Sequence, residues 1–253
     1  SFCGHDPDKM LFHLRAKLAG TVLADGGEVE LLDTKTDKTI SAFTYPYWHP
    51  SGRYIAFSTN KTTQQLHPTL RTEVYDTASD VVVYDVERHT VLSVPGLASK
   101  ASFETFPSFS PDGKSLYYCT APACLMPDSI GKLAYSLCRI PFDPDLGTFG
   151  TQVDTLFDAR VNGKSVSFPR VSPDGRFLLC TLSGYGTFPI WHKDADLYMI
   201  DLESGSGFCP ETLNSSDTES YHSWSSNGRW IVFSSRRLDG LYTRPFIAYV
   251  GKD

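Results

Sequence analysis

Short apolar runs recur along this chain, alternating with polar residues or unbroken, and turn residues rather than helical spacing separate them. Four stretches can be laid on one another: YPYWHPSGRYIAFS from Tyr45, FPSFSPDGKSLYYC from Phe106, FPRVSPDGRFLLCT from Phe168 and YHSWSSNGRWIVFS from Tyr221. In each, an aromatic residue, usually followed by Pro, leads into a short strand ending at Trp48, Phe109, Val171 or Trp224. A Pro-Ser-Gly, Pro-Asp-Gly or Ser-Asn-Gly turn follows. Pro pre-sets φ at the first central position, and Gly takes the positive φ that other residues resist. After Arg or Lys comes a second apolar strand, at Tyr54–Phe57, Leu116–Tyr118, Phe177–Cys180 and Trp230–Phe233. The pattern predicts four β-hairpins.

Third strands are predicted at Asp80–Asp85, Ser136–Ile140, Asp196–Asp201 and Arg244–Val250. Fourth strands follow near Val91–Val94, Val153–Phe157 and Thr212–Leu213, and the last unit has none. Ahead of them, Gly20–Leu23 and Glu28–Leu32 form a further hairpin, while Leu11–Leu14 suits a strand or a helical turn equally. The turn glycines Gly52, Gly113, Gly175 and Gly228 lie 61, 62 and 53 residues apart, a period that means a propeller or an array. Such four-stranded units are apolar on both faces, so each must stack against its neighbours around an axis. The fold class expected is therefore all-β: a β-propeller of four-stranded antiparallel blades, about four and a half of them visible, within a five- or six-bladed ring. It reads as a single domain over residues 1–253, with a partial first blade at 1–41, full blades at 42–98, 99–163 and 164–215, and an incomplete last blade at 216–253.

Composition narrows the function classes. Net charge is -6, and the 23 Lys and Arg are scattered rather than striped, which argues against a nucleic-acid partner. No apolar run approaches the ~18 residues needed to cross a bilayer. The chain opens at Ser1, so a processed or trimmed piece of a longer protein is expected. The six cysteines (Cys3, Cys119, Cys124, Cys138, Cys180 and Cys209) form no C-x-x-C pair, so zinc-ribbon and thioredoxin-like readings fail. Buried free thiols are favoured over disulfides, with Cys180 on a buried strand position.

The hairpins resemble the WD40-like Pro-Asp repeats of the TolB family, in four copies from about Ser41 to Val250. Ser110–Gly113 and Ser172–Gly175 keep the Ser-Pro-Asp-Gly core; His49-Pro50-Ser51-Gly52 and Ser225-Ser226-Asn227-Gly228 keep the turn but lose the Asp or the Pro. The wider text is similar to TolB-like cell-envelope proteins of the Bacteroides type. That resemblance implies export to the periplasm or outer-membrane region. Some relatives carry a C-x-x-C-H haem motif; Cys3-Gly4-His5 is not one, and no cofactor is expected.

No nucleophile elbow is present, since Gly163-Lys164-Ser165-Val166-Ser167 is not G-x-S-x-G, and no catalytic or metal-ligating residue is assigned. Function in propellers sits on loops carried by a rigid scaffold. Four segments follow second strands and should share one face: Asn60–Thr77, Thr120–Tyr135, Gly184–His192 and Ser235–Arg244. They supply most of the candidate binding residues, His67, Arg71, Trp191, His192, Arg236, Arg237 and Tyr242, to which His222 of the fourth repeat is added. Arg and Trp together suit an anionic or peptide partner; the plainer reading pairs Arg236 and Arg237 with Asp239 and neighbouring carboxylates. The expectation is a non-catalytic binding or scaffold module of the envelope, recognising a protein or peptide, or a glycan. The alternative is a metal-assisted, lyase-like carbohydrate-active enzyme, with His67, His192 and His222 gathered from different blades. The plainer reading of those histidines is hydrogen bonding to backbone.

Overall fold

The computed structural model describes residues 3, 4, 6, 8–14, 17–22, 27, 29–41, 43–65 and 73–251. It is nearly all β, and its antiparallel sheets are the blades of a β-propeller. The first sheet joins β1 (Lys9–Leu14), β2 (Lys17–Val22) and β3 (Val29–Leu32), so Leu11–Leu14 is a strand and not a helical turn. The second orders β4 (Phe43–Trp48), β5 (Tyr54–Gln65), β6 (Glu73–Asp85) and β7 (Thr90–Leu92). The third holds β8 (Ser102–Phe109), β9 (Ser115–Pro122) and β10 (Ser136–Asp143), with both β11 (Thr148–Phe149) and β12 (Asp154–Phe157) on β10. After a single turn of helix, α1 (Ala159–Asn162), come β13 (Ser165–Val171), β14 (Phe177–Ser183), β15 (Asp196–Asp201) and β16 (Gly207–Phe208). The last sheet has three strands, β17 (Glu219–Trp224), β18 (Trp230–Ser235) and β19 (Arg244–Tyr249).

Two predicted boundaries were wrong. The outer strand placed at Thr212–Leu213 lies instead at Gly207–Phe208, because two ladder pairs to β15 satisfy so short an edge without an apolar run. The Asn60–Thr77 loop is largely strand: β5 runs on to Gln65 and β6 starts at Glu73. Lys61 to Gln64 are exposed, so their pairing leaves no hydrophobic alternation to read.

The repeat motif acts at two places. Each first strand carries a register shift, and the repeat aromatic sits in it with positive φ: Tyr45 (52°), Phe106 (54°), Phe168 (55°) and Tyr221 (48°). The aromatic therefore lies inside the strand rather than ahead of it. Pro46, Pro107 and Pro169 follow it where a bulge interrupts the ladder and a donor N–H is dispensable. The bulge turns these rings onto one another between successive sheets, Tyr45 on Phe106 (centroids 4.7 Å apart) and Phe168 on Tyr221 (4.9 Å). At the hairpin, Ser110 Oγ donates to Asp112 Oδ1 (2.5 Å) and accepts from Ser115 N, while Asp112 Oδ1 accepts from Lys114 N. Ser172 with Asp174 and Ser225 with Asn227 repeat the arrangement. Asp112 and Asp174 are thus turn-formers. In the first copy, His49 Nδ1 meets Ser51 Oγ at 2.7 Å instead, and its Nε2 donates to Gly113 O of the next hairpin (3.0 Å).

By packing, the chain divides into two compact units: residues 1–62, 76–123 and 138–154, and residues 63–75, 124–137 and 155–253. In the first unit one core joins Leu11, Leu32, Phe43, Ile55, Phe57, Val82 and Tyr84. A second joins Tyr54, Ala56, Val81, Val83, Phe109, Leu116, Tyr118, Ile140 and Phe142. Tyr54 to Phe57 are buried on both faces of their strand, as stacked blades require. In the second unit Leu179, Leu197, Met199, Ile231 and Phe233 form the core between two successive sheets. There β18 alternates, with Ile231 and Phe233 buried and Trp230 and Val232 exposed. Each buried Leu, Ile or Phe contributes about 1.5–3 kcal/mol. All six cysteines are free; Cys3, Cys119, Cys138 and Cys180 are buried, Cys124 is half-buried and Cys209 exposed.

Candidate functional site

Of the segments predicted to share a face, Glu73, residues 124–135, Gly184–His192 and Ser235–Arg244 fall in the second unit, where the loop from Gly184 to Ala195 is the centre of the contacts below. This loop leaves β14, turns through Gly186 (φ 79°), makes one 3-10 turn at Pro189–Trp191 and closes with His192 N donating to Pro189 O. Buried hydroxyls clamp its backbone. Ser165 Oγ donates to Gly186 O (2.6 Å), Ser167 Oγ to Thr187 O (2.9 Å) and Thr218 Oγ1 to His192 O (2.7 Å). Gly186 N donates to Leu133 O of the second segment at 2.7 Å. Carbonyls that would be left unpaired inside the protein are thereby satisfied, and the loop is held rigidly.

On this scaffold Glu73, at the start of β6, lies between two loop side chains. Tyr185 Oη donates to Glu73 Oε1 (2.9 Å), and His192 Nε2 stands 3.4 Å from Glu73 Oε2. The rings of Tyr185 and His192 are tilted against each other with centroids 4.4 Å apart. His192 is almost wholly buried, whereas the Glu73 side chain is 19% exposed, so the carboxylate, unlike the imidazole, is within reach of solvent. Trp191, which precedes His192 in the chain, is 40% exposed, with the Arg236 guanidinium 5.1 Å from its ring. Such a carboxylate, held by a phenol and an imidazole, is equipped to move protons.

The other candidates behave differently. Arg237 is committed internally: Nη2 donates to Glu219 Oε1 (3.2 Å) and to Leu213 O, and its guanidinium covers Phe233 and Phe246. Glu219, fully buried, also accepts from Ser215 Oγ (2.6 Å) and Ser235 Oγ (2.7 Å). Arg236 donates to Gly240 O and Leu241 O, and Asp239 pairs with Arg244 (2.8 Å) rather than with Arg236 or Arg237. Tyr242 is exposed, with Arg244 over its ring. His67 and Arg71 lie outside the described residues. His222 fills the repeat position that is Pro elsewhere, its Nε2 donating to Leu179 O (2.9 Å). Burial, reinforced by the charge of Arg170, pushes its pKa down to about 3. It is a neutral structural histidine.

The predicted histidine cluster therefore does not form from His192 and His222: one faces Glu73, the other a strand carbonyl. Among the described residues no three His, Cys, Asp or Glu side chains converge as a metal ion would need. Sequence reasoning placed Glu73 in the right segment but chose its basic neighbours, and it passed over Tyr185. No local motif marks either, since the trio is assembled from segments more than a hundred residues apart.

No family model matches the sequence, and no curated protein matches it. Among solved structures the chain is similar to an oligogalacturonate lyase in complex with manganese, with 14% identity and a TM-score of 0.54 over 93% of this chain and 54% of that one. It is similar to hydrazine synthase of Kuenenia stuttgartiensis, with 12% identity and a TM-score of 0.59 over 100% of this chain and 62% of that one. It is also similar to an endo-arabinase from Bacteroides thetaiotaomicron, with 15% identity and a TM-score of 0.50 over 97% and 89%. The chain thus spans less than two thirds of the first two. These neighbours correct the expectation of a non-catalytic binding or scaffold module: the propellers in question belong to enzymes. The absence of a contiguous catalytic motif carried that expectation, but a propeller can gather a site from separate blades, where no contiguous string records it. At these identities the likeness itself carries the fold, and the fold is a β-propeller.

Proposed function

We propose that the chain is the propeller of a carbohydrate-active enzyme that breaks glycosidic bonds by acid–base chemistry at Glu73. The observation that carries this reading is the part-exposed Glu73 carboxylate bridging Tyr185 and His192, with the exposed Trp191 preceding His192 on the same loop. An indole face stacks on the C–H face of a sugar, and carboxylates are the usual proton carriers in glycoside cleavage. Tyr185 and His192 act as positioning residues. They fix the direction of the carboxylate and hold its charge when it gives up a proton. The neighbours that cleave oligogalacturonate or arabinan support the class of substrate. The described residues do not offer a manganese ion a ligand set, so no step is assigned to a metal.

The four in-register turns support kinship with TolB-type repeats, and a periplasmic or outer-membrane-associated location goes with that kinship. A glycan of the envelope or its surroundings is the partner this reading requires. The test is incubation of the purified chain with a panel of acidic and neutral polysaccharides. New reducing ends and the ultraviolet absorbance of unsaturated ends are both followed. Release of oligosaccharides that falls at least tenfold in Tyr185→Phe, with an unchanged circular dichroism spectrum, is the expected result. No release from any polysaccharide would overturn the proposal.

A further inference from the structure

The arginines with well-buried or bridging guanidiniums mostly have a counter-ion: Arg53 with Asp85, Arg139 with Asp154, Arg237 with Glu219 and Arg244 with Asp239. Arg236 is the exception that matters. It is 9% exposed, and among the described residues no carboxylate lies within 4.0 Å of its guanidinium. Asp217 approaches Gly240, whose carbonyl Arg236 holds, but its Oδ1 accepts from Thr218 N and it is not an ion-pair partner of Arg236. Among the described residues its acceptors are two backbone carbonyls and the face of Trp191, and its buried Nε has no hydrogen-bond partner there. Taking a guanidinium out of water costs several kcal/mol unless an anion or a full set of acceptors replaces the hydration. Carbonyls and an indole replace only part of it. The site is therefore short of one negative charge.

We infer that Trp191 and Arg236 form a subsite for a sugar ring bearing a carboxylate, so that the substrate is a uronate-containing glycan. The inference rests on the carbohydrate reading above and narrows it. Trp191 supplies the stacking face and Arg236 the counter-charge. Planar guanidinium and carboxylate match in shape, which ties the ring's orientation to its acidic group. Arg236 touches none of the groups assigned to the bond-breaking chemistry, so a neutral sugar would lose only the charge contribution.

Isothermal titration with oligogalacturonate and with neutral arabino-oligosaccharide separates the possibilities. For the wild type the acidic ligand should bind at least tenfold more tightly than the neutral one. Arg236→Gln should abolish that preference by weakening the acidic ligand alone. Trp191→Ala should weaken both. A loss of the loop's structure in Arg236→Gln would instead lower both affinities equally, and that result overturns the inference. So does a wild type that prefers the neutral ligand or ignores Arg236→Gln. In either of those cases continued cleavage of a neutral polysaccharide would leave the enzyme reading standing. Absence of binding and cleavage with every glycan would remove both.

Discussion

Replacing Gly113 by Ala should cost far more than replacing Gly175, although both occupy the same turn position with nearly the same backbone. At φ of 73° and 77° any Cβ meets the left-handed penalty of roughly 1–2 kcal/mol. At Gly175 nothing lies within 4 Å of the added atom, so that strain is the whole effect. At Gly113 the Cβ would come within 2.2 Å of His49 Nε2 and 3.2 Å of Pro50 Cγ. The imidazole cannot retreat: it is buried, fixed by Ser51, and packed edge-on against Phe109 at 4.8 Å and Tyr54 at 5.5 Å. Overpacking adds about 1–3 kcal/mol, and loss of the bond to Gly113 O about 1 kcal/mol. Gly113→Ala is thus expected to lose ~3–6 kcal/mol against ~1–2 kcal/mol for Gly175→Ala. Urea unfolding followed by far-ultraviolet circular dichroism measures both. In a His49→Ala background the cost of Gly113→Ala should drop to that of Gly175→Ala, a coupling that a double-mutant cycle isolates. Equal costs for the two glycines, or no coupling to His49, would refute the packing argument.

Burial pushes the carboxyls of Asp76 and Glu104 up, to about 6 and about 7, from ordinary values of 3.8 and 4.5. Folded, they hold protons that the unfolded chain has released, so stability should fall as pH rises from about 4 to about 7 and stay low above. Each group contributes on the order of 3 kcal/mol, and Asp76→Asn with Glu104→Gln should flatten the profile of unfolding midpoint against pH. Glu219→Ala strands the Arg237 guanidinium and should lower stability by ~3–5 kcal/mol in chemical denaturation, whereas Arg160→Ala, which removes an exposed pair with Asp158, should leave the unfolding midpoint essentially where it was. Thiol labelling of the native protein should modify exposed Cys209 first, and Cys180, buried and with its thiol pushed up by desolvation, only after unfolding. Labelling of native Cys180 at a comparable rate would contradict the two-sided burial of its strand.

The fold was legible because one turn chemistry recurs: Ser, Pro, Asp and Gly each have a fixed task in the hairpin, and second strands buried on both faces carry unbroken apolar runs. Edges were less legible. The two-residue strand at Gly207–Phe208 and the polar extension of β5 from Lys61 to Gln65 are held by ladder bonds, which leave no hydrophobic pattern. The site was visible only as a set of segments. Trp191 and His192 stood out by residue type, but what makes His192 a candidate is Glu73, 119 positions away. His222 looked equivalent in sequence, yet burial against Leu179 O leaves it a structural role. Residue type cannot separate these two histidines, because the difference lies in what each faces.

A double-mutant cycle on glycan cleavage bears most directly on the role given to Glu73. With Tyr185→Phe, Glu73→Gln and the combination, kcat should fall in each single variant and no further in the double, because the phenol acts only through the carboxylate. Losses that multiply, or a Glu73→Gln protein as active as the wild type, would contradict that role.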